Sequence, residues 1–332
     1  MSNARYDVLG IGNAIVDLIA TADDTFLLKE TIQKGGMTLI DEARAEHLYQ
    51  VMGPATVTSG GSAGNTMAGL ASFGARGAYI GKVRDDELGR LFSHDIKTIG
   101  VDFPTAFAAT GATTARCMIF VTPDSERSMN TYLGACQQLS PEDVDQATVE
   151  ASKVTYLEGY LWDPPAAKDA FRKASQIAHA AGREVALTLS DSFCVDRYRN
   201  EFLELMQSGV VDIVFANEAE LKSLYTTSDF DSAVTAIRQH VGLAVVTRSE
   251  RGAMAISRNE TVSVAAFPVE RLIDTTGAGD LFAAGYLFGH TSGKDRSASL
   301  RLGALAAAEV ISHMGPRPLA SLRQLALEHG LC

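Results

Sequence analysis

Positive charge is scarce in this chain, and cysteine, tryptophan and long apolar runs are scarcer still. Lys and Arg number 29 against 40 Asp and Glu, a net charge of −11. A surface of that sign does not supply the cations that neutralise a nucleic-acid backbone, which excludes a general nucleic-acid binder. It leaves a nucleotide ligand open, because a small phosphate site is built from backbone N–H groups and one or two Arg. Four cysteines (Cys117, Cys136, Cys194, Cys332) are scattered with no CxxC pair, and the histidines show no metal-ligand spacing. Neither zinc nor a disulfide framework fits that pattern, whereas reduced thiols in a cytosolic compartment do. No apolar run approaches the roughly 18–20 residues that span a bilayer, and MSNARYDVLGIG reaches an apolar strand without signal-peptide architecture. The expectation is a soluble, cytoplasmic protein with small-molecule ligands, no nucleic acid and no membrane, working as a monomer or homodimer. Repeats, low-complexity segments and Pro/Gly-rich linkers are also missing, so a single domain over 1–332 is expected.

What the chain has is alternation. YDVLGIGN (6–13), GAYIGKV (77–83), KVTYLEGYL (153–161), EVALTLS (184–190), VDIVFAN (211–217) and LAVVTRS (243–249) read as buried strands, with helical stretches such as 63–75, 165–182 and 218–225 between them. That order predicts an α/β fold with a mainly parallel sheet covered on both faces. GGMTLID (35–41) and the Thr-rich 107–134 break the rhythm. They are read as parts of a small β-sheet lid, formed by inserted segments 15–48 and 104–136.

LIDTTGAGDLFAAGYLFG (272–289) carries the most chemistry. TVSVAAF (261–267) alternates like a strand before it, and 279–289 continues as a helix. Ligands of open α/β sheets sit where the helices after strand ends begin. Gly277 and Gly279 let the amides of Gly277, Ala278 and Gly279 point into one concavity, an anion site. Asp280 is expected to stay ionised in that field, placed to deprotonate a hydroxyl that attacks a phosphoryl group. Taken alone, the stretch fits equally a turn whose Asp280 merely stabilises a helix start. No Lys follows, so it is not a Walker A loop.

DTTGAGD (274–280) resembles the C-terminal signature of the ribokinase family, the PfkB carbohydrate kinases. SGGSAGNTMAGLASFGARGAYIGKVRDDELG (59–89) resembles the N-terminal one, and the likeness runs from 7 to 318. It implies a ribokinase-like three-layer α/β/α fold and an ATP-dependent kinase using Mg²⁺. Asp17 would accept hydrogen bonds from two hydroxyls of a vicinal diol; a carboxylate in an apolar stretch needs partners in any case. Gly60, Gly61, Ser62 and Asn65 would contact the same acceptor. Asn217 and Glu220 match an N-x-x-E element that helps hold Mg²⁺, largely through water, although an acidic helix start explains them as well. Arg127 on the lid would reach the transferred phosphoryl. Thr247 and Gly252 match a nucleotide-binding T-x-G-x-x-G turn, with Ser249 where Gly is usual, and Arg84 replaces a glycine of the first signature. HMGPRP (313–318), with Gly315, resembles the loop near the ATP adenine. Asp274 would help hold a K⁺ ion, with Leu319 where a side-chain oxygen is common.

GNAIVDL, GGSAGN and SERSMNTYLGA most resemble the adenosine kinase branch of that family. The likeness places Ile15, Leu39, Tyr160 and Phe193 around a nucleoside base, which needs apolar and aromatic walls; each residue fits a core position equally. The implied reaction moves the γ-phosphoryl of ATP to the 5′-hydroxyl of adenosine, with Asp280 as general base. A ribose- or fructose-type sugar kinase is the alternative. GIGNAI (10–15) begins like a dinucleotide fingerprint, but Ile15 takes the third glycine's place and Asp17 comes too early for the ribose-binding acid. A non-catalytic nucleoside binder would have no use for Asp280 beside a complete GAGD turn.

Overall fold

Neighbouring residues of single strands enter different apolar clusters. Leu9 and Ile11, Val185 and Leu187, and Ala244 and Val246 pack on one side, while Val8, Ala186 and Val245 pack on the other. Strand side chains alternate between faces, so this sheet is covered twice. The computed structural model describes residues 4–124 and 126–331. Its strands are β1 (Tyr6–Ile11), β2 (Ile15–Thr21), β3 (Met37–Leu39), β4 (Thr56–Ser59), β5 (Gly77–Ile80), β6 (Val101–Asp102) and β7 (Ala115–Val121). They continue as β8 (Arg127–Tyr132), β9 (Ser152–Glu158), β10 (Glu184–Thr188), β11 (Ile213–Asn217), β12 (Leu243–Thr247), β13 (Ala253–Ser257) and β14 (Thr261–Val264).

The main sheet has the order β14-β13-β12-β11-β10-β9-β1-β5-β6. From β12 to β6 every pairing is parallel, and β13 runs against both of its neighbours. Helices Pro165–Ala180, Ser192–Gln207, Glu218–Leu224 and Phe230–His240 cover one face; Ser62–Phe73, Glu87–Thr98, Ala278–Thr291 and Arg296–Val310 cover the other. The expected mainly parallel, doubly covered sheet is therefore present. A second sheet has the order β3-β8-β7-β2-β4, and β2 leaves the main sheet only three residues after β1.

Several strands are shorter than their apolar runs. The run 153–161 stops at Glu158, because 159–162 turn as a 3₁₀ helix where Gly159 passes Thr188 so closely that a Cβ would lie 2.5 Å from its carbonyl oxygen. Likewise 243–249 stops at Thr247 and 261–267 at Val264. β4 also belongs to the second sheet, although its sequence, TVTS, has little apolar signal and its first two residues are exposed.

Small residues set the distance between the two helices that matter most. A Cβ on Gly69 would lie 2.6 Å from Leu281 Cδ1 and 2.7 Å from the Ala284 Cβ. Ser62–Phe73 and Ala278–Thr291 thus pack almost backbone to backbone, with their N-terminal turns side by side. No helix among the described residues is long and apolar enough to cross a membrane.

Candidate active site

The 274–280 loop is held by its first residue. Asp274 Oδ1 accepts from the Thr276 amide at 3.0 Å and Oδ2 from the Gly315 amide at 2.9 Å. Arg127 Nη2, from β8, lies 2.7 Å from the same Oδ2. Gly277 sits at φ +79°, and a Cβ there would be 2.7 Å from the Pro316 carbonyl oxygen, so only glycine fits. Ala278 donates its N–H to the Thr275 carbonyl at 3.2 Å, whereas the amides of Gly277, Gly279 and Asp280 have no partner among the described residues. Unpaired amides at a helix N-terminus attract anions. A Cβ on Gly279 would meet nothing within 4 Å, which leaves open space in front of them.

Asp280 faces this cradle. Its carboxylate accepts from Ser62 Oγ at 2.6 Å and Asn65 Nδ2 at 3.1 Å. The amide field alone would keep the group ionised, as the sequence led us to expect. Burial opposes it and pushes Asp280 up to about 6, with the Ser62 and Asn65 bonds pulling the other way. Asp17, in the middle of β2, is pushed up to about 7 by burial, against the attraction of Arg317 and then Arg127. Gly60 makes room for it, since a Cβ there would lie 2.2 Å from Asp17 Oδ2; Gly61 is required for its own reasons, a φ of +87° and an Asn13 carbonyl oxygen that a Cβ would meet at 2.2 Å.

One cavity of about 700 Å³ joins these groups. Asp17, Gly61, Ser62, Asn65, Gly277, Ala278, Gly279 and Asp280 line it, and so do Ile15, Leu39, Tyr160 and Phe193. Leu39 and Phe193 are 45% and 62% exposed, so neither is a core residue. Asn217, Glu220, Thr247 and Gly252 line the cavity too, with Phe267, Val269 and Ala308 nearby. Gly60, Arg127, Asp274 and Gly315 are not among the residues that line it.

Glu220 and Asn217 form a reciprocal capping box, in which the Glu220 amide donates to Asn217 Oδ1 at 2.8 Å and Glu220 Oε2 accepts from the Asn217 amide at 3.0 Å. Burial pushes Glu220 up to about 7. Among the described residues no cluster of three or more His, Cys, Asp or Glu is arranged to hold a metal. Mg²⁺ fits this donor set only through water and phosphate oxygens, as its preference for retained waters allows. K⁺ fits poorly, since both Asp274 oxygens are already engaged and Leu319 is 77% exposed with no side-chain oxygen. Ser249 holds φ +50°, the conformation that glycine adopts without strain. Arg84 needs no glycine, since its backbone simply donates to Thr114 Oγ1 at 3.0 Å.

Two residues of the site escaped the sequence reading. Glu158, at the end of β9, accepts from Asn13 Nδ2 at 2.7 Å and the Ala63 amide at 2.9 Å, and burial pushes it up to about 7. A carboxylate closing the apolar run VTYLE was its only sign. Arg317 reaches Ser59 and Asn65 from the 313–318 loop; in sequence it is a lone Arg between prolines.

The description "pfkB family carbohydrate kinase" matches residues 41–322. The structure of adenosine kinase from Sinorhizobium meliloti is 60% identical, covers 98% of this chain and 100% of that one, and superposes with a TM-score of 0.92. A probable sugar kinase from Rhizobium etli CFN 42 is 54% identical over 99% of this chain and 100% of its own, with a TM-score of 0.93. The adenosine kinase of Saccharomyces cerevisiae is 26% identical over 92% of this chain and 95% of its own. Both signatures converge on Asp280 in one cavity, and the chain belongs to the pfkB family of carbohydrate kinases, ribokinase-like in fold, adenosine-kinase-like in sequence, and a phosphotransferase that uses ATP to modify an alcohol group.

Proposed function

We propose that this kinase converts adenosine to AMP by phosphorylating the 5′-hydroxyl, with Asp280 as general base. The observation that carries the reading is the shared cavity: the apolar wall of Ile15, Leu39, Tyr160 and Phe193 opens onto the same space as Asp17 and Asp280. A flat base suits that wall, while its ribose hydroxyls suit Asp17 and the remaining N–H of Asn65.

Mg-ATP supplies the phosphoryl group and the charge that shields it. Asp280 accepts the proton of the attacking hydroxyl, which requires its ionised form. The amides of Gly277, Gly279 and Asp280 balance charge on the phosphoryl oxygens. The second sheet acts as a lid that excludes water, with Arg127 joining it to the Asp274 loop. Positioning contributes up to roughly 7–11 kcal/mol and the base about 10²–10⁴-fold. Glu220 would hold Mg²⁺ through water; K⁺ is left out of the scheme because both Asp274 oxygens are already engaged by two amides and Arg127. The cytoplasm is the fitting compartment, Cys117, Cys136 and Cys194 being free thiols.

The test is ATP-dependent phosphorylation of adenosine, inosine, guanosine, ribose and fructose with Mg²⁺. A strong preference for adenosine supports the reading. Preference for a free sugar, the second reading that the Rhizobium etli relative favours, would overturn the acceptor while leaving Asp280 its role.

A further inference from the structure

Arg317 belongs to the loop beyond the last long helix, yet its guanidinium ends at the acceptor side of the site. Nη1 donates to Ser59 Oγ at 2.7 Å and Nε to Asn65 Oδ1 at 3.5 Å, while Nη2 is buried with no partner. No carboxylate lies within ion-pair distance of it among the described residues, so its charge is uncompensated by direct contact. The side chain is half-buried, and its charge is favoured only at longer range, by Asp17 and then by Asp95, which accepts from the Ser59 amide at 3.3 Å; leaving Nη2 without a partner still costs free energy. The cost makes sense through what Arg317 does to its neighbours.

An Asn side chain presents an acceptor on one side and donors on the other, and Arg offers donors only. With Arg317 on one side of Asn65, the amide oxygen turns toward it and Nδ2 turns toward Asp280, as observed. Reversing the amide would set Nδ2 against the guanidinium and Oδ1 against the Asp280 carboxylate. Ser59 ends β4, and β4 pairs with β2 so that Thr58 lies opposite Asp17. The guanidinium therefore sits where strand, helix start and both aspartates meet. Asp17 is faced by Arg317 from this loop, Arg127 from β8, Asp280 from the helix start and Cys117 from β7. Of the two cations, Arg127 is committed to Asp274.

We propose that Arg317 is a positioning residue for phosphoryl transfer: it orients the Asn65 amide with its nitrogen on Asp280, and its charge favours the ionised form of Asp17 that receives the acceptor's hydroxyls. This rests on the kinase reading but not on adenosine being the acceptor.

Arg317→Met and Arg317→Lys in the full chain test it, using whichever acceptor the wild type phosphorylates. Acceptor affinity is measured by calorimetry without ATP from pH 5.5 to 8.5, followed by kcat and KM over the same range. For Arg317→Met, acceptor affinity is expected to fall about tenfold at pH 7, and the pH midpoint of binding to rise by about one unit, because the favourable charge beside Asp17 is gone. Arg317→Lys should restore that midpoint but not kcat, since an ammonium group does not span Ser59 and Asn65 as the planar fork does. A folded Arg317→Met with unchanged affinity and midpoint overturns the proposal, as does weakened binding with an unmoved midpoint, which marks a structural role. Should Arg317→Met fail to fold, Arg317→Lys decides: a tenfold loss of kcat at a wild-type midpoint supports the proposal, and wild-type kcat sinks it.

Discussion

Asp280 accepts hydrogen bonds from Ser62 at 2.6 Å and Asn65 at 3.1 Å, residues 218 and 215 positions earlier in the chain. Both donors stabilise the charged carboxylate, while burial disfavours it. Asp280→Asn is expected to lower kcat by about 10²–10⁴-fold with a melting temperature at or above that of the wild type, since a buried acid is removed. Steady-state kinetics and a thermal melt check this. A variant that still turns over at the wild-type rate would remove Asp280 from the mechanism.

Ser62→Ala deletes the shorter of the two bonds. The proposed mechanism needs ionised Asp280, so kcat at saturating acceptor, where Asp17 is already engaged, should rise as pH passes through about 6 in the wild type. Without Ser62 that limb should move to higher pH, giving a variant impaired at pH 6 and recovering toward pH 8. The pH–rate profile decides, and an unmoved limb would mean that another group titrates.

Two glycines should separate packing from ligand approach. A Cβ at Gly60 would collide with the Asp17 carboxylate at 2.2 Å, whereas a Cβ at Gly279 would meet no protein atom within 4 Å. Gly60→Ala is expected to raise the acceptor KM at least tenfold and to lower stability. Gly279→Ala should melt like the wild type yet lose kcat/KM for ATP, because the methyl enters the space before the free amides. Normal ATP kinetics in Gly279→Ala would show that phosphate does not approach there.

Glu158 couples stability to pH. Burial raises it from 4.5 to about 7, so the folded state binds its proton more tightly than the unfolded chain. The resulting stabilisation is complete below about pH 4.5 and is lost as pH rises through about 7. In urea unfolding at pH 5 and pH 8, Glu158→Gln should therefore lose less stability with rising pH than the wild type, by up to roughly 3 kcal/mol. Parallel pH dependences would refute the assignment.

Asp274 already holds two amides and Arg127. Exchanging K⁺ for tetramethylammonium should leave the rate within about twofold of its original value, and a large drop would reveal a cation site elsewhere. Asp274→Ala, by contrast, strands the buried Arg127 guanidinium and should cost about 3–5 kcal/mol in unfolding experiments.

Much of this arrangement was legible in the linear text. Gly277 is needed for its positive φ and Gly60 for the closeness of Asp17, and such demands leave glycine as the only tolerable letter. The parallel sheet was legible because strands covered on both faces are uniformly apolar. Strand ends were not: apolar residues resume at Tyr160 and Leu161 after Glu158, while the backbone has already turned at Gly159. Glu158 and Arg317 stayed hidden for a different reason. Each acts through partners distant in sequence, Glu158 through Asn13 and Ala63, Arg317 through Ser59 and Asn65. Nothing local announces such contacts.

The pairing of the helix starts at Ser62 and Ala278 has a consequence for synthesis. Asp17, Ser62 and Asn65 leave the ribosome first, while Asp280 follows Ser62 by 218 residues and Asn65 by 215, with Arg317 later still. A polypeptide that stops before residue 274 holds Ile15, Leu39, Tyr160 and Phe193 of the apolar wall, yet it lacks Asp280 and the amides beside it. On the proposed mechanism, fragments truncated before residue 274 are expected to bind acceptor at most and to transfer no phosphoryl group, because Asp280 and the free amides beside it are missing from them.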